Sequence, residues 1–340
     1  MRQRNLLLAI LLGTVSPVSA SAQRGWAFAT SEPADLWYHG LALSGYRGFA
    51  VLPLYDPDYV ERVVAAKQEL GIYPTALDRM AGRMLQVLET DSVLDVLHFV
   101  PLYCPNASRE DMLTAIERVA ERRAVPAGLS VRFGAEVLAR TITDPAALEL
   151  LSDFVGALRQ EWEVFLEAYR SQTTATYDDG LPEVISFWQF EVATHISQLL
   201  GNRRLESGVV FLSPAVGGEG RIFAGDPANP HDNVIIVGRP DAPPDEVAAA
   251  VTKEICSPIV GSVVERLGMG RDRTTAERLA SIGAVRCGAT LFDRFVPDLA
   301  ERYRAHFVEL APHSTASISF DDLFYLSPRL AVEIDQELPR

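Results

Sequence analysis

The stretch EVAAAVTKEICSPIV, residues 246–260, places Lys253, Glu254 and Ser257 within little more than one helical turn. At 3.6 residues per turn, Ala250, Lys253, Glu254, Ser257 and Gly261 share one face, and Val247, Val251, Ile255 and Ile259 share another. The first face is small and polar, so a close neighbour or a cavity is expected over it. Pro258 removes one backbone donor and should kink or loosen the helix. Three chemistries are open to this face. Ser257 and Lys253, one turn apart, form a candidate Ser–Lys dyad. No nucleophile elbow or oxyanion-hole signature accompanies them, and the order is not S-x-x-K. Alternatively the ammonium pairs with Glu254 or with an acid on another helix. Two buried carboxylates there without a cation would cost several kcal/mol. The plainest alternative is a solvated stripe of Lys253 and Glu254.

Other chemistry-bearing residues are sparse. The six histidines, His39, His98, His195, His231, His306 and His313, are scattered, with no two one turn apart. Glu191 and His195 are spaced as a surface pair. His231 precedes an apolar run and is a candidate to line a cleft beside the 246–260 helix. The cysteines are Cys104, Cys256 and Cys287, an odd number in apolar surroundings. Free buried thiols are expected, with a Cys256–Cys287 bridge as the alternative. Lysine occurs only at Lys67 and Lys253, and all other basic residues are arginines or histidines.

Residues 1–22 have the form of a signal peptide. Arg2 and Arg4 precede the apolar run 6–12, and Ala20-Ser21-Ala22 is a small-residue cleavage site. The run is too short to span a bilayer, and no later hydrophobic run stands out as a span. An exported protein, periplasmic or extracellular, is expected. Cleavage takes the formal net charge from −14 to −16, because the leader carries two arginines and no acid. Such acidity disfavours nucleic acid and anionic lipid as partners.

The elements that must position the 246–260 helix follow from pattern. Asp56-Pro57 caps a helix through Leu70, a second is expected over 74–88, and Ser108 with Asp111 starts a third. The stretch RRAVPAG, 122–128, marks an internal boundary. A long helix is expected from Asp144-Pro145 to about Arg170. The segment SQTTATYDDG, 171–180, is expected to be a loop before a helix over 183–200. HFVPLYCP (98–105) and RGFAVLPLYDP (47–57) share Pro-Leu-Tyr and are expected to plug the core; a peptide groove lined by Tyr55 and Tyr103 is the other option. SGVVFLSP (207–214), GRIFAG (220–225) and NVIIVG (233–238) carry strand signals. They are expected to form an antiparallel meander, with Gly217-Gly218-Glu219-Gly220 as its hairpin turn and no nucleotide site there. The fold class is α+β, predominantly α-helical.

Helix, small sheet, then a helix with x-E-x-x-x resembles the zincin metallopeptidases of the gluzincin, thermolysin-like branch. In that family H-E-x-x-H holds zinc on one helix face and its Glu activates the bound water. The resemblance covers about residues 183–310. It implies that Lys253 and Ser257 stand at the two His positions and Glu254 at the general-base position. Glu277, 24 residues after Lys253, stands at the third-ligand position, although Thr274-x-x-Glu277 also reads as a capping box. The implied organisation is a leader 1–22, a helical region 23–128 and a zincin-like domain 129–340. With both His positions replaced, no metal and no cofactor are expected, and the protein is expected to be a non-catalytic pseudopeptidase. It would act by binding an unknown peptide or envelope protein, or as a structural module. An active hydrolase, using zinc with unusual ligands or the Ser257/Lys253 dyad, is the rival expectation. An envelope scaffold unrelated to peptidases is the third.

Overall fold

The computed structural model describes residues 25–48, 50–126, 131–225, 233–311 and 318–339. The leader 1–22 and His231 lie outside them.

The fold is predominantly helical with a four-stranded mixed sheet. β1 (Trp26–Ala29) is followed by α1 (Glu32–Leu43), α2 (Pro57–Glu69) and α3 (Ala76–Thr90). A 3-10 segment, Ser92–Phe99, leads into α4 (Val100–Tyr103), α5 (Arg109–Ala120), α6 (Arg132–Thr141) and α7 (Pro145–Glu161). The expected caps are in place. Asp56, Ser108 and Asp144 accept from the backbone N–H of Asp58, Asp111 and Ala147, satisfying first-turn donors that have no helical partner.

No loop follows α7. Two π-helical turns, Trp162–Leu166 and Trp188–Ala193, flank α8 (Glu167–Phe187), and α9 (Ser197–Asn202) closes the run. The 171–180 segment is therefore helical. The hydroxyls of Ser171 and Thr173 donate to the carbonyls of Glu167 and Tyr169, one turn back, so these polar side chains bond within the helix. The helix runs on through Gly180 and Pro182 to Phe187.

The three strand signals become β2 (Gly208–Leu212), β3 (Arg221–Phe223) and β4 (Val234–Val237), but they do not form a meander. The sheet order is β1-β2-β4-β3, with β1, β2 and β4 parallel and β3 antiparallel to β4 at the edge. The reason lies in the residues. VIIV in β4 is buried at every position, the continuous apolar run of a strand covered on both faces, whereas RIF in β3 is half-buried throughout. The strand covered on both sides takes the interior and β3 takes the edge.

Both faces of the sheet are covered by helices. Phe211, Val234 and Ile236 point into a core built by α1–α7. Val210, Leu212, Ile235 and Val237 point into a second core with α10 (Pro244–Arg266), α11 (Arg273–Phe295), α12 (Pro297–Leu310), α13 (Phe320–Leu323) and α14 (Pro328–Glu337). α10 runs unbroken through Pro258, which lies on its exposed side. By length and composition α10 is the one described helix apolar enough to cross a bilayer, with mean hydropathy 1.5. In the fold it is a core helix, 72% of that window being buried.

Cys256 and Cys287 join α10 to α11 as a disulfide, with Cα atoms 6.0 Å apart. The expectation of free thiols at these positions is overturned because the two helices pack side by side. Cys104 stays free and buried.

The first core holds a charged cluster in which the Lys67, Glu161 and His39 side chains have no exposed surface. Lys67 Nζ lies 2.6 Å from Glu161 Oε1 and 2.9 Å from Asp78 Oδ1. His39 Nε2–H donates to Glu161 at 3.1 Å, and its Nδ1 accepts from Tyr59 Oη–H at 2.8 Å. Burial alone would raise the Glu161 carboxyl, but the His39 donor and the Lys67 charge hold it down at about 2.

The Cys256→Ser/Cys287→Ser pair of substitutions opens a ring spanning 31 positions. It should lower stability by roughly 3–4 kcal/mol in urea titrations, and an unchanged midpoint would refute a structural role. Glu161 has a folded pKa below its ordinary 4.5, so its contribution is complete above pH 4.5 and is lost as pH falls toward 2. Glu161→Gln should therefore cost about 3–5 kcal/mol at pH 7 and flatten the decline of stability through that acid range. Denaturant midpoints at stepped pH give both readings.

Candidate functional site

The site begins with the loop between β2 and β3. It must cross from the middle of the sheet to its far edge, because β4 lies between the two strands. The loop is pinned against residues 53–56: Gly217 N–H donates to Leu54 O at 2.9 Å, Glu219 N–H to Pro53 O at 3.0 Å and Asp56 N–H to Ala215 O at 3.1 Å. Gly217 is required here because a Cβ would collide with the Pro53 carbonyl. The Gly217–Gly220 segment is thus a crossing strap rather than a hairpin turn, and it carries Glu219 into the interior.

Over this strap lies the small face of α10. Lys253 Nζ sits between two carboxylates, 2.8 Å from Glu219 Oε1 and 2.7 Å from Glu254 Oε1. Lys253 is fully buried and Glu254 is 2% exposed. Gly220 admits this approach: a Cβ there would stand 2.9 Å from Glu254 Oε1. The other oxygen of Glu219 accepts from Ser281 Oγ–H of α11 at 2.8 Å. Arg221 Nη1 adds a more distant charge, 3.9 Å from Glu219 Oε1. Ser257 Oγ lies 3.2 Å from its acceptor Lys253 O and 3.3 Å from Glu254 Oε2.

The electrostatics follow from this geometry. Burial would lower the Lys253 ammonium, but the charges of Glu219 and Glu254 and the bonds to both outweigh it and raise the pKa above 10.5. Lys253 is therefore a fixed cation at neutral pH and holds its proton, so it is not a base for Ser257. Glu254 shifts upward through burial, opposed by Lys253 and reinforced by Glu219.

Among the expected residues, Lys253, Glu254 and Ser257 converge and Glu277 does not join them. Glu277 pairs with Arg273 Nε at 2.7 Å along its own helix, and Arg273 also binds Asp95 and, at 3.3 Å, Tyr46 Oη. One turn farther along α11, Ser281 reaches the cluster instead. Nor does Thr274-x-x-Glu277 cap α11: the N-cap is Asp272, which accepts from Thr275 N–H at 2.8 Å. Tyr55 is buried with its hydroxyl 2.7 Å from His98 Nδ1, and Tyr103 belongs to an aromatic group with Phe99, Phe133 and Phe223. These two tyrosines do not share a groove wall. Glu219 had one sequence signal, an acid set inside a glycine cluster between strands.

A cavity of about 900 Å³ opens beside the cluster, at the carboxyl ends of β2 and β4. Gly217, Gly218 and Ala250 belong to its wall, but Lys253 and Glu254 do not. The chain matches no protein-family model, no curated protein and no solved structure.

Lys253→Met removes the only ammonium between two buried carboxylates and should destabilise the fold by about 3–5 kcal/mol. Glu277→Gln breaks a partly exposed pair and should cost less than about 1 kcal/mol. Parallel denaturant titrations separate the two, and equal losses would contradict the assignment of Glu219 and Glu254 as the partners of Lys253.

Proposed function

We propose that the chain is an exported, non-catalytic relative of gluzincin-type peptidases that acts by binding a peptide or envelope protein, or as a structural module. One observation carries the reading: the Lys253 ammonium is clamped by Glu219 and Glu254, and the resemblance aligns Lys253 with a position that holds the ion in those enzymes. A fixed positive charge stands in for the metal's charge without its Lewis acidity.

The donor set does not fit zinc. An ammonium has no lone pair to offer, a serine hydroxyl is a poor zinc ligand, and structural or catalytic zinc needs at least three protein donors. Glu277, the remaining ligand position, turns to Arg273. At the implied general-base position, Glu254 is buried and its carboxylate is committed to Lys253. The Ser257/Lys253 dyad is disfavoured by the same geometry, because the amine is protonated and the hydroxyl is 3.3 Å from a carboxylate oxygen.

Two further observations support the reading. α10 and α11 pack side by side, as the resemblance implies for the two ligand-bearing helices, and the Cys256–Cys287 disulfide joins them. A buried disulfide also fits an oxidising compartment and hence export.

Purified protein should contain no stoichiometric zinc by elemental analysis, and peptide hydrolysis should be indistinguishable between wild type and Glu254→Gln. One equivalent of zinc, or cleavage abolished by that substitution, would overturn the proposal.

A further inference from the structure

We propose that the groove between α5, α6 and the start of α7 docks a short acidic segment of a partner protein, with apolar side chains on the groove floor and carboxylates on its arginine rim. This surface is separate from the Lys253 cluster. The inference rests on the groove's own residues and not on the peptidase resemblance.

The groove follows from how the helices end and begin. α5 stops at Ala120, and α6 and α7 then pack back against it. The opening left between them has a volume of about 710 Å³, within the range of ligand sites. Its floor is apolar, formed by Val119, Ala135, Ile142 and Leu148. Half-buried Val125 and exposed Ala139 carry the apolar surface up to the rim.

The rim is basic on an acidic molecule. Arg122, Arg123 and Arg132 line the wall against a single acid, Glu136. Residues 118–143 hold five arginines and two glutamates, a local excess of three positive charges in a chain whose formal net charge is −14. The two acids are taken up locally, Glu136 by Arg132 at 2.8 Å and Glu121 by Arg123. Arg122 forms no ion pair among the described residues. Its Nη2–H donates to Thr143 O at 3.2 Å, which leaves the other donors of the guanidinium open to a carboxylate.

The backbone at Arg122 points the same way. It follows the C-cap of α5 with φ 57°, in the left-handed region, at a position that glycine usually fills. The chain keeps a side chain here against the preference of the backbone, and that side chain is the cation without an acid partner. A ligand must therefore bring a carboxylate for Arg122 and apolar groups for the floor. A phosphate backbone would leave the floor bare, and a basic segment would be repelled by the rim.

The test titrates the full chain into two fluorescein-labelled peptides and follows anisotropy. One is Glu-Leu-Leu-Asp-Asp-Phe-Leu-Glu, and the other has every acid replaced by lysine. The net charge of the protein favours the basic peptide, so long-range attraction and docking in this groove predict opposite orders. The acidic peptide should bind saturably and at least about tenfold more tightly than the basic one, with the gap narrowing at high salt. Arg122→Gly should weaken it several-fold while leaving the denaturation midpoint unchanged or higher, because glycine suits the left-handed backbone. Ala139→Glu, at an exposed wall position, should weaken it through repulsion. The proposal fails if the basic peptide binds as tightly, if both variants bind the acidic peptide like wild type, or if it does not bind below about 1 mM. Tighter binding of oligothymidylate at the same arginines would assign the groove to nucleic acid and overturn it. So would a dimer in sedimentation that Arg122→Gly dissolves, which would assign the groove to a second copy of the chain.

Discussion

A buried ammonium held between two carboxylates is the constraint on which the arrangement of this protein turns. The chain has thirty-one lysines and arginines, and only two of them are lysines. Both are wholly buried, Lys67 in one core and Lys253 in the other, and each bridges two acids. A planar guanidinium needs room for five donors in a fixed fork, whereas an ammonium is compact and turns its three donors to suit. The arginines accordingly serve at or near the surface, and lysine appears where a cation must fit inside. Neither cluster need be a net source of stability relative to apolar packing. Each does make its elements interdependent, because withdrawing one member strands the charges of the others. At Lys253 that linkage ties the β2–β3 strap, α10 and, through Ser281, α11.

Much of this was legible in the residues, and the failures have physical causes. Helices announced themselves by caps, since Asp56, Ser108 and Asp144 each satisfy first-turn donors locally. The strand segments were equally plain, but pairing was not, because pairing is settled by burial on both faces. VIIV is the run that should have suggested a parallel interior strand. The 171–180 stretch misled because Thr and Asp favour loops on average, while here Ser171 and Thr173 bond back along the helix. At the candidate site, Lys253 with Glu254 could be read from their spacing. Glu219 could not, since it comes from 34 positions upstream and depends on the strap crossing the sheet. Glu277 matches a family pattern by spacing alone. On α11 that spacing lands one turn short of Ser281, the residue that reaches the cluster.

The chemistry of the Lys253 cluster is conservative in the literal sense: it keeps charge in place. Its protons are hard to move, because removing one from Lys253 would leave two carboxylates facing each other in a dry interior. Catalysis of hydrolysis asks the opposite, a group near its pKa with access to water. The strap closes that access, and Gly220 lets it close to within van der Waals distance of Glu254.

The open part of the molecule lies a turn away, and the two regions share α10. Its first turns, with Glu246, Val247 and Ala250, face the cavity, while Lys253 and Glu254 in the next turns lock the strap. Gly217 and Gly218 belong to both, forming cavity wall on one side and the approach to Glu219 on the other. A rigid cluster beside a cavity is what precise positioning of a wall requires, since a strap free to move would blur its shape. The locked ion cluster can therefore shape the cavity without lining it, by fixing the strap and the first turns of α10 relative to the strand ends.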